Sequence, residues 1–250
     1  LLSSELAETY SVARSNAPNA FLVANIGGAQ LSKGLKIKDI KNMIQMIEAD
    51  ALVVHLNPLQ ELIQPEGEPK YKGVLSKIKE ICSNFDIPII VKEVGAGISM
   101  DVAKRLQSAG VSAINVAGSG GTSWAGVEKL RAETAHDSNK INLGELFWDW
   151  GIPTAVSLIE VRKSVKIPVI ASGGIRNGLE IAKCVALGAN MCGMAFPFLR
   201  HASKSLDSLY EFTNRTLNEL RSAMFLVGCK NINQLGKTRF MLTGELAKVK

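Results

Sequence analysis

The sequence predicts an α/β domain, a (β/α)8 barrel of the TIM type, and three observations carry the prediction. Short Val/Ile-rich segments, apolar on both faces, alternate with amphipathic ones along the chain, as in a buried parallel sheet with crossover helices. Polar residues and glycines gather at the C-terminal end of each apolar segment, the rim where barrels place their functional groups. Residues 167–178, IPVIASGGIRNG, read as strand, glycine turn and helix start, and a second short strand follows at residues 190–196 (NMCGMAF). That pairing matches the phosphate site that barrels commonly build after strands 7 and 8. Gly173 and Gly174 would leave backbone N–H groups free, Arg176 adds charge, and the helix opening at Gly178 would turn its positive end to the ligand. An ordinary strand-to-helix turn is the plain alternative.

Each element has its own warrant. Residues 1–17 read as a helix with Leu2, Leu6, Tyr10 and Ala13 at helical spacing, broken by Pro18-Asn19. Residues 20–26 (AFLVANI) are a strand ending at Gly27-Gly28, and residues 37–48 an amphipathic helix with Ile37, Ile40, Met43, Ile44 and Ile47 on one face. Residues 51–56 (ALVVHL) are a strand, residues 57–70 a long polar loop, residues 71–85 a helix. Residues 87–94 form a strand running into Gly95-Ala96-Gly97, and residues 99–109 a helix closed by Gly110. Residues 111–117 (VSAINVA) lead into Gly118-Ser119-Gly120-Gly121-Thr122; residues 124–132 are helical, with an irregular polar excursion to about residue 142. Residues 153–164 are a helix with Pro at its start, and the chain closes with two helices, residues 205–227 and 231–245.

The count is six strands. With the two phosphate strands as the seventh and eighth, residues 20–26 become the third, so two strands and their connections are expected ahead of Leu1 and the single domain, residues 1–250, reads as N-terminally incomplete. A doubly wound open sheet would also suit six strands; the polar rim at every strand end favours the barrel.

Composition narrows the function classes. Of the 250 residues, 46% are hydrophobic and 21% charged, which supports a large core. No apolar run approaches a membrane span, and the acidic start LLSSELAETY lacks a basic leader region. Cys82, Cys184, Cys192 and Cys229 are scattered without a paired motif and read as reduced cysteines of a cytoplasmic protein. The net charge of +6 is interspersed with acidic residues, which points to a solvated surface, biased toward an anionic small ligand, and away from nucleic acid.

Lys92 lies inside the apolar run IPIIVKEV, where an ammonium needs a partner: an ion pair with Glu93 or Glu61, or an electron-rich ligand atom. His55 and Asn57 alternate at a strand end and face one way; His55 alone could be a satisfied core histidine. Glu61, with Glu66 and Glu68, suits a divalent cation bridging phosphate oxygens, or is simply loop charge. Gly118–Thr122 forms a second glycine turn, and Trp124 and Glu128 lie four apart on the helix after it, as site residues or as packing plus a surface charge.

The runs ANIGGAQL, HLNPLQE with QPEGEP, VKEVGAGIS, GSGGTSWAGVE, FWDWGIPTA, SGGIRNG and GMAFP resemble type 2 isopentenyl diphosphate isomerases, from about Asn16 to the end. The resemblance implies a TIM barrel that uses reduced FMN, Mg²⁺ and NADPH as reductant to interconvert isopentenyl and dimethylallyl diphosphate, in a cytoplasmic homo-oligomer of four or more copies. It implies Asn25 and Lys92 at the isoalloxazine, and Ala117, Thr122, Gly173, Gly174, Ile175, Arg176, Ala195 and Phe196 around the flavin and its phosphate. It implies His55, Asn57, Gln60 and Trp124 at the substrate, Glu61 at Mg²⁺, and Gln60, Glu128, Lys92 and His55 among the catalytic groups. Ala117 stands where the family often has a hydroxyl. The family's N-terminal Arg-Lys segment, MTGG turn and GSQR turn are not in this sequence and match the two missing strands, so the stretch is expected to lack some FMN and diphosphate groups.

Three other readings compete. An FMN-dependent oxidoreductase of the 2-hydroxy-acid oxidase type needs a late catalytic histidine, and only His136 and His201 are available, neither at a strand end. A purine-nucleotide dehydrogenase-like barrel needs a cysteine between Cys82 and Cys184, and there is none. A non-catalytic truncated barrel is the third.

Overall fold

In the computed structural model, which describes residues 4–249 and side chains from residue 8 onward, six parallel strands form one sheet in the order β1 to β6. The strands are β1 (Val23–Gly27), β2 (Ala51–Leu56), β3 (Ile89–Glu93), β4 (Ala113–Asn115), β5 (Val169–Ala171) and β6 (Met191–Cys192). Every strand pairs with its chain neighbour, so all crossovers step the same way. A doubly wound sheet reverses its strand order at a switch point; this sheet has no reversal and is the singly wound arc of a barrel.

The helices are α1 (Ser4–Asn16), α2 (Gly28–Ser32), α3 (Ile37–Met46), α4 (Pro58–Ile63), α5 (Val74–Asn84), α6 (Met100–Ser108), α7 (Trp124–Thr134), α8 (Ser138–Leu146), α9 (Thr154–Ser164), α10 (Gly178–Ala186), α11 (Phe196–Ala202), α12 (Leu206–Leu226) and α13 (Ile232–Leu235), with a 3₁₀ turn at Gly244–Lys248. The core sits between sheet and helices. Leu52, Val54, Ile89, Val91, Ile114, Val116, Val169 and Ala171 come from one face of the strands, and Ile40, Ile44, Ile78, Ile81, Leu106, Leu158 and Val161 from the helices. The other face is concave and only partly covered. Arg14 staples the N-terminal helix to the base of the sheet, donating to the carbonyls of Pro18, Ala20 and Glu48 and to Asp50 Oδ2.

Several element boundaries differ from the sequence expectation. The polar loop 57–70 contains α4, because Asn57-Pro58 starts a helix with proline at its first position. The excursion after residue 132 contains α8, capped by the Asp137 side chain on Lys140 N. Residues 190–196 are strand only at Met191–Cys192, and Phe196 already begins α11. The expected helix over 231–245 is a four-residue helix and a separate 3₁₀ turn. Of the spacing read for the first helix, Leu2 and the Leu6 side chain lie outside the described residues.

Candidate functional site

Strand register builds the site. Gly27 pairs with His55, His55 with Lys92, Lys92 with Asn115, and Asn115 with Ile170. Side chains two apart on a strand share a face. Asn25, His55, Lys92, Asn115 and Ser172 therefore line up across five strands on the concave side. His55 Nδ1 lies 3.0 Å from Asn25 Oδ1, and Ser172 Oγ donates to Asn115 Oδ1 at 2.6 Å. Burial and the Lys92 charge push the His55 pKa below its ordinary value. The imidazole is thus neutral near pH 7, and with Asn25 Oδ1 as acceptor Nδ1 carries the hydrogen. Asn115 and Ser172 were not singled out from sequence. The available signal was the one that exposed Lys92: a polar residue on the less buried face of an apolar strand.

Among the described residues Lys92 forms no ion pair with a carboxylate, although the Glu93 charge lies near enough to favour its ammonium. The ion pair with Glu93 or Glu61 offered by the sequence is not formed, because successive residues face opposite sides of the sheet. Glu93 turns into the protein, where Oε2 accepts from the N–H groups of Val94, Gly95 and Ala96 at 2.5–2.6 Å. Burial raises the Glu93 pKa and those three bonds pull it back. Lys92 Nζ reaches only the Glu93 carbonyl, at 3.2 Å, and burial lowers its pKa. A partly buried ammonium aimed into a concave polar row fits an anionic or electron-rich ligand.

The two glycine turns pack against each other. A Cβ on Gly173 would collide with the Gly118 carbonyl, one on Gly174 with the Gly120 carbonyl, and one on Gly121 would sit 2.8 Å from Gly174 N. Gly173 and Gly174 have φ of +101° and +80°. The glycines are thus required first by turn-to-turn contact. Arg176 clamps the pair, donating to Gly174 O at 2.7 Å and to Gly120 O at 2.9 Å. Among the described residues, the N–H groups of Gly120, Gly121, Thr122, Gly174 and Ile175 make no hydrogen bond, which leaves donors for an anion. The expectation for the next helix is corrected. The start of α10 is already occupied by protein acceptors: Asn177 Oδ1 takes Glu180 N, Glu219 Oε2 takes Gly178 N, and Glu180 Oε2 takes Arg176 N. Ala117, two residues past β4, takes a left-handed conformation (φ +38°), with its N–H on Asn115 Oδ1. Ala195 and Phe196 stand exposed at the start of α11, whose first turn has no side-chain cap.

Beyond β2 a second polar system begins. The Tyr71 hydroxyl donates to Asn57 Oδ1 (2.7 Å) and accepts from Asn57 N (2.9 Å). Asn57 Nδ2 lies 3.1 Å from Gln60 Oε1 and 3.2 Å from Glu61 Oε1. Gln60 Nε2 donates to Glu128 Oε1 at 2.9 Å, and Glu128 Oε2 accepts from Arg131 at 2.6 Å. Glu128, read as a surface charge in the plain alternative, is 1% exposed. Gln60, Thr122 and Trp124 line one cleft of about 460 Å³ with Leu59, Trp148 and Trp150. Glu61 Oε2 also accepts from Glu68 N at 3.0 Å, while Glu66 pairs with Arg131. Among the described residues no three acidic, cysteine or histidine groups cluster for a metal, so the Glu61, Glu66 and Glu68 set offered for a cation does not assemble as one.

Residues 25–242 match the family model described as FMN-dependent dehydrogenase. The chain belongs to that family. As a member of the FMN-dependent dehydrogenase family it offers donors suited to the cofactor: Lys92 and Asn25 on the concave face, and free turn N–H groups beside Arg176 for a phosphate. The isopentenyl-diphosphate delta-isomerase of Methanosarcina barkeri is 50% identical over 237 residues, covering 95% of this chain and 64% of that protein. That of Thermococcus kodakarensis is 46% identical over 242 residues, with coverage of 95% and 64%. The chain thus spans about 64% of the length of these curated relatives. Two solved structures share the fold. A mandelate oxidase with benzoyl-formic acid is 18% identical with TM-score 0.58, covering 92% of this chain and 72% of that one. A GMP reductase from Trypanosoma brucei with guanosine 5'-triphosphate is 22% identical with TM-score 0.57, covering 88% and 46%. Among the described residues no helix is long and apolar enough to cross a membrane, and all four cysteines are free.

Proposed function

We propose that this chain forms the flavin- and substrate-binding part of an isopentenyl-diphosphate delta-isomerase, which interconverts isopentenyl and dimethylallyl diphosphate in isoprenoid biosynthesis. The observation that carries the reading is the cleft in which Gln60, held by buried Glu128, meets Trp124 beside the glycine turn, in a chain half identical to relatives of that name. The oxidoreductase reading finds no such support. His136 lies in the turn after α7, and His201, on α11, stacks on Phe212 and bonds Ser208.

Moving an unactivated double bond asks for protonation of an alkene or removal of an allylic proton, which ordinary side chains do poorly near neutral pH. Reduced FMN, when bound, supplies the proton and electron inventory for that step. The chain's own residues bind, orient and shield. Thr122, Gly173, Gly174, Ile175, Arg176, Ala195 and Phe196 would hold the ribityl phosphate, with Ala117 at the flavin's edge. Lys92 and Asn25 would face the isoalloxazine. His55 and Asn57 would line the diphosphate, and Glu61 would hold Mg²⁺ against it. Gln60 and the Trp124 ring would enclose the hydrocarbon, a surface able to stabilise a developing cation. NADPH as reductant, a homo-oligomer of four or more copies and a cytoplasmic location belong to the same proposal.

The test is a titration of FMN into the purified protein, followed by flavin fluorescence, then an anaerobic isomerase assay with Mg²⁺ and reductant. Saturable binding and isomerisation are expected. The reading fails if a folded sample binds no FMN and a chimera carrying the first third of the Methanosarcina barkeri relative binds none either.

A further inference from the structure

The chain of hydrogen bonds from Tyr71 to Arg131 has only one consistent sense. Carboxylates accept and cannot donate, so the Gln60 atom facing Glu128 must be its NH₂ group. The other end of that amide, Oε1, then needs a donor, which makes the facing atom of Asn57 its own NH₂. The same Asn57 nitrogen faces Glu61 Oε1, a second acceptor that demands the same orientation. Asn57 Oδ1 must then receive a hydrogen, and it receives the Tyr71 hydroxyl's; that oxygen in turn accepts the Asn57 backbone N–H. At the far end Arg131 spans two carboxylates, Glu128 and Glu66, and so ties α7 to the loop after α4.

We infer that Tyr71 and Arg131 are positioning residues for Gln60 and Glu61, acting from opposite ends of this chain. Neither is itself among the residues that line the cleft. Tyr71 fixes the Asn57 amide, and Asn57 fixes both Gln60 Oε1 and Glu61 Oε1. Glu61 is anchored at each oxygen, by Asn57 and by Glu68 N, so its carboxylate is locked with lone pairs left over for a cation. Gln60 is anchored at both ends of its amide and keeps one N–H for a ligand. A pre-set amide and carboxylate spare the ordering cost that flexible side chains would add on binding. The inference rests on the proposed isomerase reading for its functional consequence, and on geometry alone for the orientation itself.

The orientation can be read without turnover. In ¹⁵N-labelled protein the Gln60 side-chain NH₂ pair is identified as the pair lost in Gln60→Glu. In Tyr71→Phe, which keeps the ring and removes only the hydroxyl, that pair is expected to move toward the free-glutamine position; Arg131→Met is expected to move it in the same sense. In the isomerase assay both variants are expected to raise the KM for isopentenyl diphosphate and the Mg²⁺ requirement about 5–10-fold, with FMN affinity within twofold of the parent and partial rescue by Arg131→Lys. Arg131 sits on an exposed helix face, so its variants decide the question if Tyr71→Phe does not fold. An unmoved Gln60 pair in folded Tyr71→Phe or Arg131→Met overturns the inference. A moved pair in a protein that binds FMN but isomerises nothing, both as this chain and as the chimera with the Methanosarcina barkeri relative, supports the relay and overturns the isomerase reading.

Discussion

Alanine at Gly173 should separate two costs that a glycine can hide. Gly173 and Gly34 both hold positive φ, +101° and +90°. Around Gly34 a Cβ would meet nothing within 4 Å; at Gly173 it would run into the Gly118 carbonyl and backbone. The left-handed conformation costs a non-glycine residue about 1–2 kcal/mol in both places. Gly173→Ala adds an overpacking cost of about 1–3 kcal/mol, because backbone cannot swing aside as a side-chain tip can. For a chain of this size that excess corresponds to about 2–12 °C in Tm beyond the loss in Gly34→Ala. Thermal unfolding followed by circular dichroism, run on both variants, measures the difference directly. Parting the turns also moves the free N–H groups of Gly120, Gly121 and Gly174, so FMN affinity should fall by about tenfold, near 1.4 kcal/mol, in Gly173→Ala and stay unchanged in Gly34→Ala. Equal Tm losses in the two variants, with FMN affinity retained, would refute the idea that the glycines serve turn-to-turn contact.

Other outcomes follow from the same geometry. Lys92→Met removes an ammonium that burial disfavours more than the nearby Glu93 charge favours it, so Tm should hold or rise while FMN affinity drops by about tenfold; a fall in both would mean the amine is structural. His55 has a depressed folded pKa, so the unfolded chain binds its proton first and stability should decline as pH falls below about 6.5. Denaturant unfolding between pH 7.5 and 5 should show that slope flatten in His55→Gln, and an unchanged slope would contradict the assignment. Glu128→Ala leaves the partly buried Gln60 amide without its acceptor and Arg131 without one of its carboxylates, and should cost about 1–3 kcal/mol, read from chemical denaturation; a cost near zero would place Glu128 outside the network.

How much of this was legible in sequence depends on what each residue's neighbours reveal. The strands were legible because residues such as Leu52–Val54 and Ile89–Val91 are apolar on both faces, a pattern surface helices do not share. Lys92 stood out against such a run. Asn115 and Ser172 carried a weaker signal, since small polar residues are common at strand ends. The partner of Lys92 was not legible: whether Glu93 pairs with it depends on the side of the sheet each faces. The six-residue α4 was obscured by its polar flanks, although Asn57-Pro58 is a helix-start signal, and α8 lacks the apolar stripe that marks most helices. The acceptors on the start of α10 come in part from Glu219, 41 residues beyond Gly178, a contact only the tertiary structure creates. Gln60 and Glu128, 68 positions apart, were named together among the catalytic groups by resemblance, but the bond between them is a contact only the tertiary structure creates.

The polar row across the sheet also bears on how the strands find their alignment. Sliding any one strand by a single residue would exchange its two faces. For β3 that slip would carry Lys92 into the apolar layer beneath the helices, beside Ile78 and Leu106, and bring Val91 to the concave side. It would also pull Glu93 away from the three N–H groups that satisfy it. An uncompensated charge in that layer is costly enough to make the slipped sheet uncompetitive. The groups that await a ligand therefore also proofread the pairing of the strands that present them.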